Sequence, residues 1–159
     1  MKVEKQVQKD NLILKLEGDI DETTDFEKEV GLEATSASLP QSVDLYTSGI
    51  ARISSMGIKS WISYFRILTA KGVTLRFFEC SPVIVAQCNL IMNFLCGGVV
   101  ESVCLPYLCG KCKNELRATI QSAQIPKPGS EMPELKCPKC GGSAFFDDIP
   151  DEYFGFLRK

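Results

Sequence analysis

Apolar and polar residues alternate toward the end of NLILKLEGDI (11–20), the period of a strand with one face in water. The acidic DETTDFEKEVGLEA that follows reads as a short helix of weak periodicity, and TSASLPQS (35–42) as a polar loop. VDLYT (43–47) predicts a short buried strand, and GIARIS carries the chain to the end of the sheet. The clearest helical period runs from Ser55 to Thr69, where Ile58, Trp61, Ile62, Phe65, Leu68 and Thr69 recur at spacings of three and four with Lys59, Ser60 and Ser63 opposite. Gly72 stands where a helix end is expected. VTLRFFE (73–79) predicts another strand. Ser81-Pro82 marks a helix start, with an N-cap followed by proline at the first helical position. PVIVAQCNLIMNFL then predicts a second helix stopped by Gly97-Gly98, and VVESVCLPYL (99–108) a closing strand.

Alternating strands and helices predict an α/β fold, a mixed sheet covered by helices. The pattern changes after Leu108: prolines 126, 128, 133, 138 and 150 cluster and long helical periods vanish. The expected division is therefore residues 1–107 and 108–159, with no flexible linker. A hydrophobic content of 45% and a charged content of 24% suit a folded core. The formal charge of −2 exerts no overall pull toward nucleic acid or anionic lipid. The amino terminus has no signal-like apolar core, and Arg66, Arg76, Glu79 and Asn89 break the longest apolar runs short of a membrane span. A soluble, cytoplasmic protein is the expectation.

Cysteine changes the picture. Eight cysteines in a chain read as unexported favour metal binding or buried thiols over disulfides, and with no histidine any zinc site must use sulfur or carboxylate. Cys109-Gly-Lys-Cys112 and Cys137-Pro-Lys-Cys140 form two C-x-x-C pairs, each able to present two thiolates to one ion. Lys111, Lys113, Lys136 and Lys139 offset the charge of four thiolates around Zn²⁺, and Gly141 suits the turn after the second pair. These pairs resemble those of zinc-ribbon modules, CPKCG more closely than CGKCK. Four cysteine ligands leave no open coordination position, so one structural Zn²⁺ per chain is expected, with redox-active dithiols as the alternative. SAFFDDI and EYFGFL are expected as ribbon strands. Cys80, Cys88, Cys96 and Cys104 recur every eight residues but fall on different elements, so they read as buried thiols.

LKLEGDID, VDLYTSGIARISSMGI and GVTLRFFECSPVIVAQCNLIMNF, in this order, resemble a STAS domain over about residues 3 to 107. That is the fold of bacterial anti-sigma factor antagonists and of the cytoplasmic tails of sulfate transporters, and the soluble branch fits a chain with no membrane segment. The resemblance implies a phosphorylatable hydroxyl two residues before Gly57 and its following Ile58, which is Ser55. It further implies a partner that is both anti-sigma factor and serine kinase, with a phosphatase that restores the hydroxyl. Asp19 and Asp21, in the family's early turn after Gly18, together with Ser54, Met56 and Lys59, are the expected partner-facing residues. Family members that are phosphorylated often carry aspartate where this chain has Ser54 and a small residue where it has Met56. Ser54 is thus a second candidate for modification, and helix capping is the competing role for Ser55.

The expected function is a non-enzymatic signalling module in partner switching, related to anti-anti-sigma factors. The alternatives are a STAS scaffold that no longer cycles and a zinc ribbon that touches nucleic acid or transcription machinery. A hydrolytic site is not legible, since there is no histidine and no nucleophile elbow.

Overall fold

The computed structural model describes residues 1–33 and 35–158. Its first half is a five-stranded sheet in the order β1-β2-β3-β4-β5. β1 (Lys2–Gln8) and β2 (Asn11–Ile20) form an antiparallel hairpin. β3 (Ser42–Ile53), β4 (Thr74–Phe78) and β5 (Val99–Val100) continue from β2 in parallel. Three helices, α1 (Phe26–Val30), α2 (Ser55–Ala70) and α3 (Pro82–Leu90), connect the parallel strands. The mixed α/β architecture matches the expectation from sequence.

The core follows from alternation. Leu12, Leu14 and Leu16 of β2, Val43 and Leu45 of β3, and Leu75 and Phe77 of β4 are all buried. Against them α2 buries Trp61, Tyr64, Phe65 and Leu68, which recur at helical spacing. The Trp61 ring stacks on Phe94 at 5.3 Å between centroids, and its Nε1 donates to the Phe94 carbonyl at 3.1 Å. Phe26 of α1 joins the cluster, 5.9 Å from Trp61 and 5.6 Å from Phe65.

Several expectations change. β1 carries no apolar alternation, and most of its residues are exposed; pairing with β2 makes it a strand. α1 shrinks to five residues because Asp21, Thr23 and Thr24 bond one another in a separate turn. The helix expected over residues 82–95 stops at Leu90. Beyond it Asn93 and Cys96 adopt positive φ of 58° and 53°, and the turn delivers Phe94 to Trp61. Burying that aromatic outweighs helical propensity.

The strand expected over residues 99–108 divides at Glu101. β5 closes the first sheet, while β6 (Ser102–Cys109) is an inner strand of a second, four-stranded sheet in the order β7-β6-β9-β8. The others are β7 (Glu115–Gln121), β8 (Leu135–Lys136) and β9 (Ser143–Phe146). An unbroken apolar run conceals such a change of partner. Pro106 is tolerated inside β6 because it lies opposite Asp147, just past the end of β9: its carbonyl accepts from the Asp147 amide at 2.9 Å, and the return bond its missing N–H cannot make falls where the ladder already ends. SAFF is a strand as expected, but EYFGFL is not. Pro150 opens a helical turn, α4 (Pro150–Tyr153), and residues 155–157 form a 3₁₀ turn.

The two sheets are fastened together. Cys80, just after β4, makes a parallel bridge with Val103, and the Tyr153 hydroxyl donates to the Cys104 carbonyl. Asn89 of α3 donates to the Tyr153 carbonyl at 3.0 Å and accepts from the Phe156 amide at 2.8 Å. Arg117 reaches the Ser48 carbonyl at 2.7 Å.

Candidate functional site

The four predicted metal ligands converge. Cys109 ends β6, Cys112 lies in the turn before β7, and Cys137 and Cys140 occupy the turn between β8 and β9. Their sulfurs all lie within 4.8 Å of one another, with Cys109–Cys140 at 3.5 Å and Cys112–Cys137 at 3.7 Å. A tetrahedral ion with metal–sulfur bonds of about 2.3 Å requires sulfur–sulfur edges of roughly 3.8 Å, so the donor set fits. Cys109 and Cys137 are buried and the other two half-buried.

Each turn aims amides at sulfur. The Cys112 amide meets the Cys109 sulfur at 3.5 Å and the Gly142 amide meets the Cys140 sulfur at 3.4 Å. The Cys112 amide, aided by that of Lys111, brings the Cys109 thiol down to about 6, toward the thiolate a metal needs. At Cys137 burial acts upward, but the Cys140 and Lys139 amides outweigh it and the thiol is lowered. The Asn114 amide lowers Cys112, but burial and its three sulfur neighbours prevail and raise it to about 11. The turns close alike: Lys113 N–H donates to the Cys109 carbonyl at 3.1 Å, and Gly141 N–H to the Cys137 carbonyl at 2.8 Å. Both closing residues are left-handed, Lys113 at φ 60° and Gly141 at φ 72°. The first turn thus puts a side chain where the second has none.

The remaining cysteines stay out of the cluster. Cys80, Cys96 and Cys104 are buried and Cys88 half-buried. Burial pushes the Cys88 thiol up to about 12 and drives Cys80 higher still, so both stay protonated.

The second candidate is the start of α2. Ser54 is the N-cap: its side-chain oxygen accepts from the Gly57 amide at 3.1 Å. Ser55 is the first helical residue and is exposed. The capping role considered for Ser55 therefore falls to its neighbour. The Ser54 amide donates to the Ile20 carbonyl at 2.9 Å, which fixes the helix start beside the turn after β2. Gly57 makes that approach possible, since a Cβ there would sit 2.4 Å from the Ile20 carbonyl oxygen.

Asp19 near the end of β2 and Asp21 in the turn after it are both engaged locally. Asp19 pairs with Arg52, whose Nε lies at 3.0 Å. Asp21 accepts from the Thr23 hydroxyl at 2.6 Å and from its amide at 2.9 Å, and these bonds hold its carboxyl below the usual range. Met56 and Lys59 face outward, Met56 with 53% of its surface exposed. They border a groove of about 450 Å³ that also takes in Ser60, Ser63, Tyr64 and Ile67 of α2 and residues 24–27 around the start of α1. Sequence reasoning missed Ile67 and the α1 wall, because nothing local in the sequence shows which face of α1 lies against α2.

No protein-family model matches the chain, and no curated protein matches it. No described helix is long and apolar enough to cross a membrane.

Proposed function

We propose that this chain is a non-enzymatic cytoplasmic regulator of the STAS, partner-switching kind, in which Ser55 is the phosphorylated residue and the four cysteines hold one structural Zn²⁺. The supporting observation is the division of labour between the two serines. Ser54 makes the capping bond, so the exposed Ser55 hydroxyl is not needed by the helix. A kinase partner would transfer the γ-phosphoryl group of a nucleoside triphosphate to Ser55 Oγ. The O–P bond forms, the nucleoside diphosphate leaves, and the hydroxyl proton passes to the kinase.

The product suits its place. The first turn of a 16-residue helix has free amides and a positive dipole end, which favour a dianion. The same phosphate adds about −1.5 to −2 of charge beside the Met56 groove, so a partner docking there would have to strip water from it. Release then requires no change of fold. Zinc follows from the donor type and count, since an all-thiolate tetrahedron suits a closed structural site.

Intact mass spectrometry on the chain isolated from its host is expected to show one phosphoryl increment that Ser55→Ala abolishes. In affinity capture, Ser55→Asp is expected to lose partners that Ser55→Ala retains, at an unchanged melting temperature. No increment under any growth condition, with equal capture by both variants, rejects the reading. A second reading, nucleic-acid contact by the ribbon, draws on the exposure of Lys111, Lys113, Lys136 and Lys139. It requires binding that weakens steeply with salt.

A further inference from the structure

The sulfur cluster is not uniform. Cys109 and Cys137 are buried, whereas Cys112 and Cys140, one in each turn, are half-exposed. The tips of both turns are open to water: Gly110, Lys111 and Lys113 in the first and Pro138, Lys139 and Gly141 in the second are all exposed. Each half-exposed sulfur also lies close to a buried one from the opposite turn, Cys140 at 3.5 Å from Cys109 and Cys112 at 3.7 Å from Cys137. The cluster therefore contains two pairs, each with one accessible and one shielded member.

Such pairs suit thiol oxidation. A peroxide reaches the accessible thiolate, and a second sulfur close behind converts the first product into a disulfide. The cysteines outside the cluster lack this arrangement. The Cys96 sulfur faces the Ile62 carbonyl and the Cys104 sulfur the Glu79 carbonyl. Cys80 is fully buried, and burial keeps Cys88 on α3 protonated.

We propose that the cluster is a reversible oxidation site for hydroperoxides, which joins Cys140 to Cys109 and Cys112 to Cys137 and releases the metal ion. This rests on the reading that the four thiolates hold Zn²⁺. Cys140 Sγ attacks one oxygen of hydrogen peroxide: the S–O bond forms, the O–O bond breaks, and the departing hydroxide takes a proton from solvent. Cys109 Sγ then attacks Cys140 Sγ. The S–S bond forms, the S–O bond breaks, and a second hydroxide leaves and is protonated. Two electrons pass from the sulfurs to the peroxide, which ends as two waters. A second peroxide oxidises Cys112 and Cys137 in the same way. Thiolates are the ligands, so their loss to disulfides frees the ion. Each new bond runs between the turns, which stay joined without it. A dithiol reductant restores the four thiolates by exchange.

The test treats the full zinc-loaded chain with hydrogen peroxide and follows zinc release with a chromogenic chelator. One Zn²⁺ is expected for every two peroxides consumed. Lys111 and Lys139 allow trypsin to separate the two cysteines of each C-x-x-C pair, so peptide masses decide the pairing. Dimedone, which traps sulfenic acid, is expected to label Cys112 or Cys140 early, and not Cys109 or Cys137. Cys80, Cys88, Cys96 and Cys104 are the internal reference and are expected to oxidise roughly tenfold more slowly, or less readily still. Dithiothreitol with added Zn²⁺ is expected to restore the metal content.

A chain that binds no zinc from zinc-replete medium fails the metal reading, and the proposal with it. A loaded chain that keeps its zinc until the reference cysteines oxidise overturns the proposal alone. So do disulfides within the C-x-x-C pairs, first labelling at Cys109 or Cys137, or oxidation that dithiothreitol does not reverse.

Discussion

The two sheets of this molecule are held together by different means. The five-stranded sheet closes over fully buried Trp61, Phe65, Phe77 and Phe94, with leucines from β2 beneath them. In the four-stranded sheet β7 alternates exposed and half-buried along its whole length, and its inward Leu116, Ala118 and Ile120 remain half-buried. Removal of apolar surface from water accounts for the first. The second gathers four sulfurs at one end, a cluster that could hold an ion between its two turns. The contrast teaches that a chain can set a sheet whose outer strand stays half in water, with a sulfur cluster at one end, directly beside one closed on both sides of its aromatic core.

Metal removal strains this contrast most. Chelation withdraws a stabilisation on the order of 10 kcal/mol from a small thiolate site. Amide exchange in β6 to β9 is expected to accelerate greatly, while emission from Trp61, the only tryptophan, stays that of a buried indole. A red shift on chelation would mean that the sheets fold as one unit and that the contrast is false.

Gly57→Ala probes the other side. The new methyl meets backbone at Ile20, which cannot swing aside, and overpacking of this sort costs about 1–3 kcal/mol. A lower urea midpoint at full metal content is expected; an unchanged midpoint would show that α2 is not pressed on the sheet.

The smallest effect sharpens the likeness between the metal turns. Lys113→Gly gives the first turn the closing residue of the second and relieves a left-handed side chain, for a gain of about 1 kcal/mol in the metal-loaded chain. Loss of stability would indicate that the lysine side chain contributes more than its backbone costs.

What the sequence disclosed was what short spacings determine. The period from Ile58 to Leu68 defines α2 because one helix face supplies all its buried residues, and two C-x-x-C pairs disclose a sulfur cluster because each turn is self-contained. The exposed placement of Ser55 was harder to read, since either of two adjacent serines can cap, and only the bond from Gly57 to Ser54 decides. Features set by distant partners were hidden. β1 is a strand by virtue of β2, α3 ends early for the sake of Trp61, and the change of sheet at Glu101 leaves no mark in VVESVCLPYL. The C-terminal turn was legible and misread, because Pro150 followed by two acids is a helix start that the aromatic residues after it obscured.

Glu101 alone separates the last strand of one sheet from the first of the next, and it is pegged on both sides, its amide to Phe77 and its carbonyl to the Ser122 amide. Fused modules ordinarily owe their freedom to slack chain between them, and here there is none. A load applied at the cysteine turns would run along β6 as tension straight into the backbone beside Phe77, with no hinge to absorb it.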